Sequence, residues 1–358
     1  MPSGNRLIAS TFFFAIGWFT ISFTFPLEAR VFGFSANQIG FFGFAVSLPF
    51  PLVAFLYLRA NVTHTKRILI VNGILISVLS VMFLIEQKSL FIWLLVATGF
   101  LQSIFWITAE ISMTSIRDDR IAERYTAAWG VPNFISPFVA GYLLQVHQFK
   151  LAAALSGALL FISVLFVQDI KIERHPGSGT SFRPLYIFPL FSAGMTFGFF
   201  AYVLLPLLKG SSYSYQTLGI FGSAIGGSMA ITTVILSFVR YSKIVSLSMI
   251  ASVLMALPGL IAISINPLLI LLVLIGAGVG IAIAFSKILS YAIRTEKPVQ
   301  GIFYYELFLA LGYSAGSGVG GMISGPLGYL TAAVVFAVPL LYLFFLMYGL
   351  LRRKFSLE

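Results

Sequence analysis

The chain alternates long apolar runs with short polar turns. Twelve runs fall near residues 7–27, 37–58, 67–85, 90–113, 125–146, 151–168, 184–207, 216–239, 244–264, 267–290, 299–323 and 327–350. Each is close to the ~20 residues that a helix needs to cross a bilayer core. Backbone polar groups in lipid must be satisfied internally, which leaves helices or closed barrels. Barrel strands alternate in polarity and run about half this length; these runs are continuously apolar, so they predict twelve transmembrane helices. The first run lacks a small-residue cleavage site and further spans follow at once, so it reads as a span rather than a signal peptide.

Composition agrees with that pattern. Hydrophobic residues make up 59% of the 358 and charged residues 9%, and mean hydropathy is +1.00. Soluble domains carry about a quarter charged residues, so the bilayer is the expected solvent. The formal charge of +11 would suit nucleic acid if it formed one patch, but it does not. With the N-terminus inside, about 17 of the Lys and Arg fall on cytoplasmic segments and about four outside, the asymmetry that fixes orientation. The cations are anchors facing anionic lipid, both termini are expected in the cytoplasm, and nucleic acid is excluded as a partner. There is no cysteine, and His64, His147 and His175 lie far apart in predicted loops. Neither a metal site nor a cofactor is expected.

The longest cytoplasmic connection, "DIKIERHPGSGTSFRP", is charged, then Gly/Ser-rich, with a proline at its end, which is the composition of a linker. It divides the chain into a six-helix bundle over 1–168, a linker over 169–184 and a second six-helix bundle over 185–358. The halves repeat each other. Pro26 and Gly40 match Pro206 and Gly219; "SIRDDR" after the fourth span matches "AIRTEK" after the tenth; "SPFVAG" in the fifth matches "GSGVGG" in the eleventh. All share an offset of about 180 residues, and two copies of six spans keep one orientation, so the bundles are parallel repeats about an axis along the membrane normal.

Six plus six spans, cytoplasmic termini and an inner central linker resemble the major facilitator superfamily. "GFSANQIG" (33–40) is similar to the family's turn between its first two spans. "LRANVTHTKR" (58–67), with Arg59, Lys66 and Arg67, takes the place of its basic loop. "ERYTAAWGVPNFISPFVAG" (123–141), entered through Arg117 and Arg124, is similar to the loop and Gly/Pro-rich fifth span of many antiporters, and Arg294 follows the tenth span at the matching place. In "GFLQS" Gly99 stands where many proton-linked members carry arginine, which argues against arginine-based coupling. The resemblance implies an all-α alternating-access transporter whose first, fourth, seventh and tenth spans line a central cavity.

Ionisable groups inside a span are costly and mark function. Here they are Glu110, Lys287 and Glu306. Glu110 and Lys287 sit at equivalent places in the two repeats with opposite signs, so they are expected to pair as a gate when the inner mouth closes; the alternatives are that Glu110 pairs with Arg117 or Arg120 and that Lys287 snorkels. Glu306 lies two turns into the eleventh span, about 12 Å deep at 1.5 Å per residue. It is expected either to exchange a proton during transport or to pair with Lys287 or Arg294. Phe13, Trp18, Thr20, Gln102, Trp106, Asn133, Tyr202 and Tyr305 are the expected lining of an aromatic, sparsely polar cavity. Such a wall suits a small lipophilic or amphipathic solute. The sequence therefore points to a secondary transporter in the cell membrane, with proton coupling through Glu306 left open beside a structural role for that acid, export as the weakly favoured direction, and a monomer as the expected state. A non-transporting membrane subunit built on the same scaffold is the reading left open beside it. No clustered acid, base and nucleophile supports an enzyme.

Overall fold

The computed structural model describes residues 3–60, 62, 64–85, 87–116, 118–172, 186–238 and 244–355. Twelve helical segments cross from face to face: α1 (Ser3–Val31), α2 (Ala36–Arg59), α3 (Lys66–Ile85), α4 (Lys88–Met113), α5 (Ile121–Gln145), α6 (Phe149–Val164), α7 (Ile187–Gly210), α8 (Tyr215–Leu236), α9 (Ile244–Ala256, continued by a 3₁₀ segment Leu257–Ala262), α10 (Pro267–Ala292), α11 (Pro298–Leu327) and α12 (Leu330–Phe355). Every run read from the sequence overlaps one of them. Eight of these helices are long and apolar enough to cross a membrane by themselves, and three are shorter apolar helices. The remaining one, α5, is less apolar because Pro132, Asn133 and Pro137 interrupt it, yet it stays helical through both prolines. Of the expected linker only Asp169–Ile172 falls among the described residues.

The repeat is legible in the local chemistry. Ser35 caps α2 with its side chain accepting from the Gln38 N–H at 3.3 Å, and Ser214 caps α8 by accepting from the Thr217 N–H at 3.1 Å. A helix start has unpaired N–H groups, and a serine oxygen satisfies one. Two residues earlier, Gly33 and Ser212 both hold a positive φ, 77° and 70°, the left-handed kink that turns the chain from one span into the next.

The two bundles meet along two seams, α5 against α8 and α2 against α11. Near the face opposite the chain ends each seam closes on a pair of glycines. A Cβ on Gly40 would lie 2.6 Å from Cα of Gly321, and one on Gly141 would lie 2.9 Å from Cα of Gly219. The repeat relates Gly40 to Gly219 and Gly141 to Gly321, so one contact is built twice. Small residues let helix backbones approach this closely. Three spans are broken at mid-depth. Leu48, ahead of Pro49 and Pro51, divides α2, and π-helical turns interrupt α7 at Phe200–Leu204 and α11 at Ala315–Val319. Proline supplies no N–H to the helical ladder, and Pro206 lies two residues past the first π turn; the second runs through the glycines of "AGSGV". The two π turns touch each other.

Candidate functional site

A cavity of about 180 Å³ lies between the bundles. From the first bundle α1 contributes Trp18 and Ser22, α2 Ser47, α4 Gln102, Trp106 and Glu110, and α5 Tyr125, Trp129 and Asn133. From the second, α7 contributes Phe197 and Phe200, α10 Phe285, and α11 Tyr305, Glu306 and Tyr313. The wall is aromatic because the rings pack edge-on and stacked across elements: Trp129 meets Phe285 at 5.3 Å, Phe197 stacks on Phe285 at 5.7 Å, and Trp106 stands edge-on to Phe14 at 5.3 Å. Such pairs hold a wall in shape beyond what area burial alone does. The polar groups are few. Gln102 donates from Nε2 to the Val46 carbonyl at 3.5 Å, Asn133 points Nδ2 at the Met229 sulfur at 3.8 Å, and Ser47 and Ser314 share a hydrogen bond of 2.6 Å between the bundles.

Trp18, Gln102, Trp106, Asn133, Tyr305, Glu110 and Glu306 thus converge on one cavity. Three expected lining residues do not line it. Phe13 faces the other side of α1 and stacks on Phe166 at 5.1 Å. Thr20 is buried and spends its hydroxyl on the Ile16 carbonyl at 2.8 Å, one turn back. Tyr202 lies in the π turn, which swings its ring toward Gly43 and Tyr313. Tyr125, Trp129 and Phe285 line the cavity without having been singled out; the signal available was their place on the helix face that carries Asn133 in α5 and on the spans the family resemblance puts at the centre.

The charged groups pair differently from the sequence expectation. Lys287 sits near the terminal-face end of α10, but its ammonium lies 3.4 Å from Glu123 of α5 and donates to the Leu236 carbonyl of α8 at 2.7 Å. The carboxyl that faces Glu110 is Glu306. The expected Glu110–Lys287 gate is therefore not the arrangement of this conformation, and neither is a Glu306 pair with Lys287 or Arg294. The physical reason is symmetry: equivalent positions touch only where both lie on the axis. What the repeat does produce is one kind of crossing twice, α10 against α5 and α4 against α11. The first copy joins Lys287 to Glu123, and the second joins two acids. The Tyr125 hydroxyl lies beside the Glu110 carboxyl without closing an aligned hydrogen bond.

The basic loop residues lie at the face that carries both chain ends. Arg59 covers the Phe55 ring at 5.3 Å, Arg67 is exposed, and the Lys66 N–H donates to Asp169 at 3.4 Å. Arg124 pairs with Asp118 at 2.7 Å and reaches Asn5, Arg294 pairs with Asp119 at 3.7 Å, and Arg120 covers Phe238 at 5.9 Å. Arg117 lies outside the described residues. Among the described residues no group of three or more His, Cys, Asp or Glu is placed to hold a metal ion.

Two six-helix bundles enclosing a cavity at mid-depth, with the carboxyls of Glu110 and Glu306 in its wall, are the architecture of a multi-pass membrane transporter. The family model described as Major Facilitator Superfamily matches residues 7–300, and the chain belongs to that family. Among solved structures it is similar to the crystal structure of the human organic anion transporter MFSD10 (TETRAN), with a TM-score of 0.72 and 12% identity over 97% of this chain and 100% of that one. At that identity the likeness is one of fold. No curated protein matches the sequence. The family is one of transporters for small molecules rather than of enzymes.

Proposed function

We propose that the chain carries a small lipophilic or amphipathic solute across the cell membrane by alternating access. Residues before and after the 169–184 connection act as two rocking bodies, and Glu306 couples the motion to protons. The observation that carries this reading is the aromatic cavity between the bundles with two carboxyls in its wall. Few polar groups in a mostly apolar wall are what orient a small ligand, and a carboxyl at that depth is costly unless it is used. The cation asymmetry supports cytoplasmic termini, and the Gly/Pro-rich α5 favours export. The similar human structure is that of an organic anion transporter; here, among the described residues, no Lys, Arg or His lines the cavity, which speaks against an anion.

The test uses the full chain in proteoliposomes, with a panel of small aromatic cations, neutral molecules and anions and an imposed pH gradient. At least one solute is expected to move, driven by the gradient in the wild type and not in Glu306→Gln. Flux with unchanged pH dependence in that variant rules out coupling through Glu306. Absence of flux for every member, together with a co-purifying partner chain, establishes the scaffold role instead.

A further inference from the structure

The two crossings described above differ in one respect. Where α10 meets α5, the Lys287 ammonium sits against Glu123. Where α4 meets α11, Glu110 and Glu306 face each other, 4% and 2% exposed. The titratable groups acting on them are Tyr125 from α5 and Tyr305 from α11. The nearby cations are committed elsewhere: Lys287 to Glu123 and Leu236, Arg294 to Asp119. From α2, Tyr57 spends its hydroxyl on Thr108. Among the described residues, Oε2 of both acids and the Tyr125 hydroxyl find no hydrogen-bond partner, although all three residues line the cavity. Two carboxyls cannot stay in contact with both ionised; a proton between them converts repulsion into a hydrogen bond. A cation placed between them does the same. Trp106 and Trp129 line the same cavity, and indole faces attract cations, quaternary ammonium groups above all.

We propose that Glu110 and Glu306 form one exchange site, in which a single lipophilic monocation of the substituted-ammonium class takes the place of one shared proton. The inference rests on the transporter reading and names its substrate class. The charge balances: empty, the pair carries one proton and a charge of minus one; loaded, it gives that proton to water, takes one positive charge and is again minus one. Proton and substrate exclude each other because they neutralise the same negative charge. Since one acid belongs to each bundle, either occupant also holds the bundles together.

The experiment uses the full chain in detergent, so its outcome is independent of flux. The probe is phenyltrimethylammonium, which carries no proton of its own. Its controls are tert-butylbenzene, the same shape without charge, and benzoate. Binding is followed by the fluorescence of the cavity tryptophans, and proton release by an indicator dye in lightly buffered solution. The cation is expected to bind at least tenfold more tightly than either control, to release one proton per molecule bound, and to weaken about tenfold per pH unit on acidification. Glu110→Gln and Glu306→Gln should each abolish the release. If either variant fails to fold, the wild-type proton count decides alone. Equal binding of cation and neutral isostere, binding without proton release, or no binding of the cation overturns the exchange site. The transporter reading then stands or falls by the proteoliposome flux.

Discussion

Among the described residues a positive φ occurs at Gly33, His147, Ser212 and Gly328. These are two repeat pairs: Gly33 with Ser212 after the first span of each half, His147 with Gly328 after the fifth. In each pair the positive φ is kept, while the glycine that adopts it without strain stands in one copy only. A side chain in the left-handed region costs about 1 kcal/mol, partly offset by the extra chain entropy a glycine brings to the unfolded state. Ser212→Gly and His147→Gly are therefore each expected to stabilise the protein, by about 0.5 kcal/mol, read as a small rise in the thermal midpoint in detergent. Lower midpoints in both would mean the side chains earn more in contacts than the backbone loses. The sequence offers no local signal at Ser212 or His147; only aligning the halves exposes them. The misplaced cavity residues have the same origin. Phe13 and Thr20 lie on the right helix, α1, but which way a side chain faces depends on neighbours that sequence spacing does not name.

At the scale of elements, the spans were readable because lipid tolerates no unpaired backbone, so each helix is announced by a continuous apolar run. Their interruptions were less so. The turn at Leu48 and the two π turns depend on packing between α2, α7 and α11, which no single run records. A second unannounced feature is the tie between the basic loop and the chain beyond α6. His64 bonds Asp169 at 2.8 Å, His64 and Lys171 form an isolated antiparallel bridge, and the Thr65 hydroxyl donates to the Ile170 carbonyl at 3.3 Å. The His64 hydrogen bond holds the Asp169 carboxyl below its usual range. A depressed carboxyl contributes stability that is full above its unfolded value, about 3.9, and is lost as pH falls through the folded one. Both groups are exposed, so the effect is small and screened by salt. The protection factor of the Ile170 amide, corrected for the intrinsic pH dependence of exchange, is expected to be constant above about pH 5 and to fall below about pH 4, and Asp169→Asn should remove that step. A step that persists in the variant assigns it to another carboxyl.

Over the whole molecule, the twofold organisation was legible from proline, glycine and charge offsets, yet the contact map was not. An offset identifies equivalent positions, and it led from Glu110 to Lys287. Contacts join inequivalent spans, and it takes the assembled bundles to bring Glu110 to Glu306 and Lys287 to Glu123. The glycine seams carry a mechanical consequence. Gly40 on Gly321 and Gly141 on Gly219 are the same joint at two sites, on opposite sides of one axis and at one face. Joints of the same construction are expected to part together, so separation at that face should be a swing of two rigid bodies rather than a peel starting from a weaker edge. Spin labels placed across each seam should then report equal distance changes whenever the protein switches, and a bulky residue at Gly141 should lengthen the α2–α11 distance as well as its own. Movement at one seam with the other unchanged would mean that the halves flex, and that the bundles are not the moving parts.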